Sequence, residues 1–305
     1  MKVLVTGVGG FIGAHVASRF LAAGHAVIGA DDFSSGYREN VPPGVELIEG
    51  DLAEPATIAV LPRDCELILH LAGQSSGEIS FDDPVSDLRK NTVSTLNLIR
   101  YGIDCGANRL VYASSMSCYG SVPDAPVAET ATCLPLSCYG VGKLAAEGYL
   151  RVYAKQLPFV ALRMFNVYGP GQDLSNLRQG MVSIYLAQAL ATGRVQVKGS
   201  LDRFRDFIFI DDVVEAWWQA AFRAEPVGQA INVGTGRRTT VRELLEAMQP
   251  HVPGMDWYVE GSTPGDQSGI FADARLVGGQ LGMTRFVPLS EGLARFVAWA
   301  RTQSA

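Results

Sequence analysis

A glycine-rich turn between an apolar strand and an amphipathic helix is the feature that most constrains the fold of this chain. The strand predicted over Lys2–Thr6 runs directly into Gly7, Gly10 and Gly13, which have a GxxGxxG spacing. Glycine permits a tight turn and lets a pyrophosphate approach the backbone. The helix predicted over Phe11–Ala23 offers such an anion unpaired N–H groups and the positive end of its dipole. This context predicts a dinucleotide-binding site at the start of the chain.

Strand-like and helix-like patterns alternate through the first half of the chain. Short, nearly continuous apolar runs suit strands that are buried on both faces. The predicted strands are Lys2–Thr6, Ala26–Ala30, Val45–Ile48, Leu67–Leu71, Leu110–Ser114 and Phe159–Arg163. A helical stripe between the fourth and fifth of these strands consists of Val85, Leu88, Thr92, Leu96, Ile99 and Ile103. The alternation predicts an α/β fold with a Rossmann-type doubly wound parallel sheet.

The second half of the chain has a less regular pattern. Predicted helices cover Gln179–Ala191, Asp212–Arg223 and Val241–Met248, and predicted strands cover Phe207–Ile210 and Ile231–Val233. We expect a dinucleotide-binding domain over residues 1–165, to which segments near 207–236 return. Residues 166–305 are expected to form a smaller, interleaved α/β region that binds mainly substrate.

Composition excludes several classes of function. The chain has 305 residues and a formal net charge of −6, so it lacks the basic excess of nucleic-acid-binding proteins. No stretch reaches the roughly 18 apolar residues of a membrane span. Five cysteines without a CxxC pair and four histidines without HExxH spacing predict neither a disulfide framework nor a structural metal. We expect a protein of the reducing cytoplasm.

Two acidic residues, Asp31 and Asp32, end the second predicted strand. A carboxylate about 20 residues after the glycine-rich turn accepts hydrogen bonds from the adenosine ribose, and it repels a 2′-phosphate. This position favours NAD over NADP. The alternative is that Asp31 only caps the turn before Ser34. Asp51 and Leu52 follow the third strand, where they either border adenine or form an ordinary turn.

A candidate catalytic pair lies on the helix that follows the fifth strand. Tyr139 and Lys143 are four residues apart and so share one helix face. An ordinary tyrosine is a poor base at neutral pH, and a nearby ammonium favours its phenolate. The alternative is an exposed helix pair without a function. Ser115 ends the fifth strand, where ligands collect in this architecture, although Ser114, Ser115 and Ser117 could simply terminate that strand.

In these residues the chain resembles the extended short-chain dehydrogenases/reductases, especially the NAD-dependent epimerase/dehydratase family. The landmarks are VTGVGGFIG (5–13), DDFSSG (31–36), HLAG (70–73), YASSMSCYG (112–120), YGVGK (139–143), LRMFNVYGPGQ (162–172), FRDFIFIDDVV (204–214) and INVGTG (231–236). They occur in order through nearly the whole chain.

The resemblance implies a site-residue set. The catalytic residues implied are Ser115, Tyr139 and Lys143. NAD would be held by Gly7, Gly10, Phe11, Ile12, Gly13, Asp31, Asp32, Phe33, Ser35, Gly36, Asp51, Leu52, Leu71, Ala72, Gly73, Ser75, Lys90, Ser114, Tyr139, Lys143 and Phe165. A sugar nucleotide would be held by Ser75, Ser115, Ser117, Tyr139, Asn166, Val182, Gln196, Lys198, Arg205 and Asp266.

Among these, Arg205 would pair with the substrate diphosphate, for which a guanidinium is well suited. The alternative is a surface ion pair between Arg205 and Asp206. Thr263 stands where many relatives have an arginine for the diphosphate. Lys198 stands where many have an aromatic residue near the nucleobase. These two departures leave the identity of the nucleotide open.

The sequence pattern is most similar to that of UDP-sugar 4-epimerases. Sugar-nucleotide dehydratases carry an Asp-Glu pair where this chain has Met116 and Ser117, and UDP-glucuronate decarboxylases have a glutamate at the place of Ser117. Neither residue here performs general acid–base chemistry, so both reactions are disfavoured. The alternatives are an NAD(P)H-dependent reductase of a keto-sugar nucleotide and a non-catalytic dinucleotide sensor. The resemblance also implies a homodimer formed through helices near 85–104 and 140–156.

Overall fold

The computed structural model of the protein describes residues 1–223, 227–261 and 268–303. Its strands are β1 Lys2–Thr6, β2 Ala26–Asp31, β3 Glu46–Glu49, β4 Leu67–His70, β5 Arg109–Ser115, β6 Phe159–Met164, β7 Asn166–Tyr168, β8 Arg194–Val197, β9 Phe204–Arg205, β10 Phe207–Phe209, β11 Gln229–Val233, β12 Thr239–Thr240, β13 Asp256–Val259 and β14 Gly269–Ile270. Its α-helices are α1 Phe11–Ala22, α2 Pro55–Ala59, α3 Pro84–Leu88, α4 Ser94–Cys105, α5 Cys138–Val152, α6 Met181–Thr192, α7 Ile210–Phe222, α8 Val241–Met248, α9 Arg275–Leu281 and α10 Leu289–Gln303.

A seven-stranded parallel sheet forms the centre of the molecule. Its strand order is β11-β6-β5-β4-β1-β2-β3, and every neighbouring pair is parallel. The order reverses direction between β1 and β4, which is the switch point where doubly wound sheets bind their ligands. The predicted fold class is confirmed, and all six strands predicted for the first half are present with small shifts at their ends.

Helices cover both faces of this sheet, which explains the nearly continuous apolar runs of its strands. Successive residues of a strand point to opposite faces. On β1, Val5 belongs to a core with Phe20 of α1 and Trp217 of α7. Leu4, one residue earlier, belongs to a core with Leu98 of α4 on the other face. Both faces therefore exclude water, as expected for a parallel sheet.

The second half of the chain is shared between the sheet and a smaller region. β11 joins the edge of the main sheet beside β6, and α7 packs on one face of that sheet. The predicted strand Phe207–Ile210 is present as β10, but it pairs with β7 in a separate two-stranded sheet. A third core lies among α6, α8 and α10, with Leu186, Leu245 and Phe296 fully buried. These elements flank the carboxyl end of the main sheet.

The helical stripe predicted between Val85 and Ile103 is wrong in its first half. The segment is divided into α3, a π-helical turn over Arg89–Val93, and α4. A π-helical turn holds an extra residue, so the register of the buried face changes across it. Val85 and Leu88 are therefore 67% and 49% exposed. The buried face of α3 carries the polar residue Asp87 instead.

None of the helices in the described ranges is long and apolar enough to cross a membrane. No group of three or more histidine, cysteine or acidic side chains in the same ranges is arranged to hold a metal ion.

Candidate active site

A cavity of about 320 Å³ opens at the carboxyl ends of the central strands. It brings together residues that are distant in sequence but end neighbouring parallel strands. Of the predicted cofactor residues it is lined by Gly7, Gly10, Phe11, Ile12, Gly13, Asp31, Asp32, Ser35, Gly36, Asp51, Leu52, Leu71, Ala72, Gly73, Ser75, Lys90, Ser114, Tyr139, Lys143 and Phe165. Of the predicted substrate residues it is lined by Ser75, Ser115, Ser117, Tyr139, Asn166 and Val182.

The glycine-rich turn forms one end of the cavity and fits an anionic group. Gly7 has a φ of +70°, and a Cβ atom there would lie 2.7 Å from the backbone nitrogen of Ala72. A Cβ atom at Gly13 would clash with the carbonyl oxygen of Gly7, so glycine is required for α1 to pack against β1. The first turn of α1 has neither an acidic residue nor a side-chain cap. Its N–H groups are thus available to a pyrophosphate.

The carboxylate of Asp31 is fixed at the end of β2. Its Oδ2 atom accepts a hydrogen bond of 2.8 Å from the backbone N–H of Gly9, and its Oδ1 atom accepts one of 2.8 Å from that of Phe33. Burial raises the pKa of Asp31, and these two hydrogen bonds act in the opposite direction. Asp31 therefore does cap the turn, as the alternative proposed. Because a carboxylate has about four acceptor positions, lone pairs remain for ribose hydroxyls.

Asp32 and Lys90 form an ion pair of 3.0 Å at the same end of the cavity. Phe33, in contrast, is a predicted cofactor residue that the structure does not bring into the lining. Its φ is +52°, and its ring packs beneath the guanidinium of Arg38 at 4.6 Å. The backbone turn at Phe33 directs the following serines, rather than the ring, toward the cavity.

Ser115, Tyr139 and Lys143 meet at the floor of the cavity. Ser115 is the last residue of β5, while Tyr139 and Lys143 lie one turn apart on α5. The side chain of Ser137 caps the start of α5. All three side chains are buried, so the alternative of an exposed helix pair is wrong. The Lys143 Nζ atom lies 5.6 Å from the centroid of the Tyr139 ring and 5.0 Å from that of Tyr112.

Burial has the largest effect on the pKa values of Tyr139 and Lys143. It raises the pKa of the Tyr139 phenol, and the neighbouring Ser115 hydroxyl acts in the opposite direction. It also lowers the pKa of Lys143 to about 8, with Cys118 and Asp87 raising it. Burial therefore dominates the pKa of Tyr139 in the protein chain by itself, and the expectation that the Lys143 ammonium favours the phenolate stays a prediction. Desolvation of the phenolate outweighs the attraction of an ammonium at this distance.

A buried ion pair supports the strand that carries the serines. Arg163 of β6 donates to Glu147 of α5 through Nε at 2.9 Å and through Nη2 at 2.6 Å. The hydroxyl of Ser114 donates to the same carboxylate at 2.5 Å. Both charged side chains are less than 5% exposed. This network joins β5, β6 and α5 directly behind the candidate catalytic residues.

The substrate end of the cavity contains residues that sequence reasoning missed. Gln172 and the segment Gln179–Met181 line it. The Nε2 atom of Gln179 donates a hydrogen bond of 2.8 Å to the Oγ atom of Ser75, so the loops after β4 and β7 meet there. The glycine before α6 was the available signal, because glycine has no side chain that could cap the first N–H groups of the helix. On the same side, Asn166 donates to the Asp206 carbonyl at 3.2 Å.

The structure does not bring several predicted substrate residues into the cavity lining. The side chain of Gln196 on β8 contacts Glu260 instead, with its Nε2 atom donating at 3.5 Å. Lys198 follows β8 and is exposed to solvent. Gln196 belongs to the two-stranded sheet that β8 forms with β13, and Lys198 directly follows that sheet. Asp266 and Thr263 lie outside the described residues.

Arg205 also lies outside the lining, and it is buried. It is 6% exposed, and Asp206 is fully buried. The Asp206 carboxylate accepts hydrogen bonds from the backbone N–H groups of Thr235 at 2.9 Å, Gly236 at 2.9 Å and Ala272 at 3.1 Å. The alternative of a surface pair between Arg205 and Asp206 is therefore wrong. Burial lowers the pKa of Arg205 to about 10.

Comparisons with known proteins agree with this arrangement. Residues 3–234 match the sequence model of the NAD dependent epimerase/dehydratase family. The chain is 36% identical to a UDP-glucose 4-epimerase of Mycolicibacterium smegmatis, with all of both chains covered. It superposes on a UDP-glucose 4-epimerase of Thermotoga maritima solved with UDP-glucose, at a TM-score of 0.95 and 32% identity over all of both chains. A Thermus thermophilus UDP-glucose 4-epimerase solved with NAD gives a TM-score of 0.89 and 34% identity over 99% of both chains.

Proposed function

The chain belongs to the NAD-dependent epimerase/dehydratase family, and from this premise we propose that it inverts C4 of a UDP-sugar through a transient 4-keto sugar. One observation carries the proposal most directly. Ser115, Tyr139 and Lys143 line the same cavity as the glycine-rich turn and Asp31. A sugar hydroxyl can therefore meet a proton acceptor within reach of a dinucleotide.

NAD supplies a hydride acceptor, a hydride donor for the return step, and in its oxidised form a positive charge. Different residues of the chain would hold the separate parts of NAD. Gly7, Gly10 and the free N–H groups of α1 would hold the pyrophosphate, and Asp31 would accept hydrogen bonds from the adenosine ribose. Asp32 and Lys90 line the cavity together with Asp31 and would border the same ribose. The negative charge of Asp31 disfavours a 2′-phosphate and hence NADP.

Each of the three buried residues has a separate role in the proton transfer. Tyr139 accepts the proton of the sugar 4-hydroxyl and later returns it. Ser115 donates a hydrogen bond to the same sugar oxygen as it becomes a carbonyl. Lys143 contributes a positive charge that favours the phenolate form of Tyr139 and binds the nicotinamide ribose. The burial of all three side chains keeps water from the reacting atoms.

The test uses the purified protein with no added cofactor. Incubated with UDP-glucose, UDP-N-acetylglucosamine, UDP-glucuronate and their GDP, CDP and dTDP counterparts, it is expected to convert at least one UDP-sugar into a mixture of C4 epimers. NMR identifies the products, while absorbance at the NADH band is expected to show no net reduction. Turnover only of a keto-sugar supplied with NADH would contradict the proposal and indicate a reductase.

We further propose that the protein is a homodimer of the reducing cytoplasm, where its cysteines stay free. Exposed apolar side chains on α3 and α5 support the dimer: Val85, Leu88, Val141, Tyr149 and Val152. Two such helices on each of two copies would form a four-helix interface. Light scattering at micromolar concentration is expected to give twice the mass of the chain. The variant Val141→Glu is expected to give a monomer, and a monomeric wild type would overturn the proposal.

A further inference from the structure

Asp87 is a buried carboxylate that the proposed reaction does not use. It lies on the inward face of α3 and is 2% exposed. Its Oδ1 atom accepts hydrogen bonds from the Nε2 atom of Gln74 at 2.8 Å and the Nδ2 atom of Asn91 at 3.1 Å. Its Oδ2 atom has no hydrogen-bond partner in the described part of the chain. A buried carboxylate is costly unless a positive charge lies near it.

The Lys143 ammonium is a positive charge that acts on Asp87: burial raises the pKa of this carboxyl, and Lys143 lowers it. A Cβ atom at Gly142, the residue before Lys143, would lie 3.5 Å from the Asp87 Oδ2 atom. A Cβ atom at Gly73 would lie 2.5 Å from the Asn91 Oδ1 atom and 3.5 Å from the Lys143 Nζ atom. The Asn91 Oδ1 atom and the Lys143 Nζ atom thus both lie beside Gly73, while the Asn91 Nδ2 atom donates to Asp87. The two glycines keep this space open.

The other titratable groups around Lys143 are either neutral at neutral pH or already paired with a cation. His70 on β4 is buried, which lowers its pKa to about 3, so it is neutral. Burial raises the pKa of Cys118 to about 12, so its thiol keeps its proton. Burial raises the pKa values of Tyr112 on β5 and Tyr139 on α5. Glu147 on α5 is matched by Arg163.

We propose that Asp87 is a positioning residue for Lys143: its buried carboxylate is the counter-charge that keeps the Lys143 ammonium protonated and in place beneath Tyr139. The proposal rests on the function assigned above to Tyr139 and Lys143. Asp87 does not touch the reacting atoms. It acts through the lysine, whose charge favours the phenolate that takes the sugar proton.

The same carboxylate is also linked to the substrate end of the cavity. The Nε2 atom of Gln74 donates both to Asp87 and to the carbonyl oxygen of Ser76 at 2.7 Å, and the Gln74 Oε1 atom accepts from the Ser76 N–H. Ser75 between them lines the cavity. Through these hydrogen bonds Asp87 fixes the loop over residues 74–76, which would face the sugar, relative to α5, which carries Tyr139.

The variant Asp87→Asn tests this role because it removes the charge and keeps an acceptor for Gln74. The lysine loses its counter-charge, so its pKa falls further below the ordinary value. The basic limb of the kcat-against-pH profile is expected to move to lower pH by about one unit or more. An unchanged basic limb would overturn the proposal, even if the variant were less stable than the wild type.

A matched control removes a carboxylate from the same helix without touching Lys143. Asp83 caps α3 by accepting a 2.9 Å hydrogen bond from the Ser86 N–H, and it is exposed. Asparagine caps helices about as well as aspartate, so Asp83→Asn preserves the cap. Its pH profile is expected to match that of the wild type. A shift of the same size in this control would mean that the change in the pH profile comes from overall charge, which would overturn the proposal.

A second readout does not depend on turnover. The chain has five lysines, so ¹³Cε-lysine labelling gives a small set of NMR signals, and Lys143→Arg identifies the one from Lys143. In the protein as purified, its titration midpoint is expected to fall in Asp87→Asn and to stay constant in Asp83→Asn. An unchanged midpoint would overturn the role of Asp87. Absence of epimerisation by the wild type would instead overturn the proposed function, and the titration would still decide the role of Asp87.

Discussion

Replacing Tyr139 by phenylalanine is expected to lower the turnover of the UDP-sugar by about 10²–10⁴-fold, the contribution of general acid–base catalysis. The ring of Tyr139 fills a buried place at the start of α5, and phenylalanine keeps that ring while removing the proton acceptor. Ser115 and Lys143 remain, but neither is placed to act as the base. The bound NAD content is expected to stay at the wild-type level, because the glycine-rich turn and Asp31 are untouched.

The measurement is kcat by NMR, with NAD released by denaturation and quantified on the same samples. Tyr149→Phe is the matched control, since it removes a phenol hydroxyl from the same helix at a position that is 40% exposed. Its kcat is expected to equal that of the wild type. A Tyr139→Phe protein that turns over at the wild-type rate would contradict the catalytic role and would support a dinucleotide sensor.

Replacing Arg163 by methionine is expected to lower the free energy of unfolding by about 3–5 kcal/mol, the usual effect of removing one partner of a buried ion pair. Methionine fills much of the same space but leaves Glu147 charged and desolvated. The Arg163 guanidinium also lies 4.8 Å from the Tyr119 ring centroid and donates to the Glu129 carbonyl at 3.2 Å, and both contacts are lost. Urea unfolding at a fixed NAD concentration measures the difference.

Two further variants separate burial from charge. Arg89→Met removes a partner of the Arg89–Glu54 pair, whose side chains are 46% and 53% exposed, so a loss below about 1 kcal/mol is expected. Combining Arg163→Met with Glu147→Leu removes both buried charges and is expected to recover part of the stability. A single Arg163→Met change as mild as Arg89→Met would show that the buried pair does not stabilise the fold.

The features predicted correctly from sequence are those whose signal is local. The glycine spacing at Gly7, Gly10 and Gly13 is a backbone requirement, because side chains there would collide with neighbouring backbone. Tyr139 and Lys143 share one helix face because residues four positions apart lie about one helical turn apart. The doubly wound parallel sheet follows from the alternation of strands and helices along the chain. These inferences needed no knowledge of which distant residues come together.

The features that sequence reasoning missed depend on tertiary packing. The π-helical turn after α3 changes which face is buried, so Asp87 points inward and Val85 outward. Nothing in the helical period of the sequence signals that turn. Gln179 reaches Ser75 only because α6 begins beside the loop after β4. The balance between burial and lysine charge at Tyr139 likewise depends on distances that a motif does not contain.

Hydride is expected to leave C4 of the sugar and to return to the opposite face of the same atom. The UDP-sugar that the protein epimerises, prepared with deuterium at C4 and incubated in ordinary water with the protein as purified, tests this directly. The expected product is the C4 epimer with deuterium retained at C4, formed without added cofactor and without loss of label to solvent. An epimer with hydrogen at C4, or conversion that requires NADH from solution, would contradict this expectation.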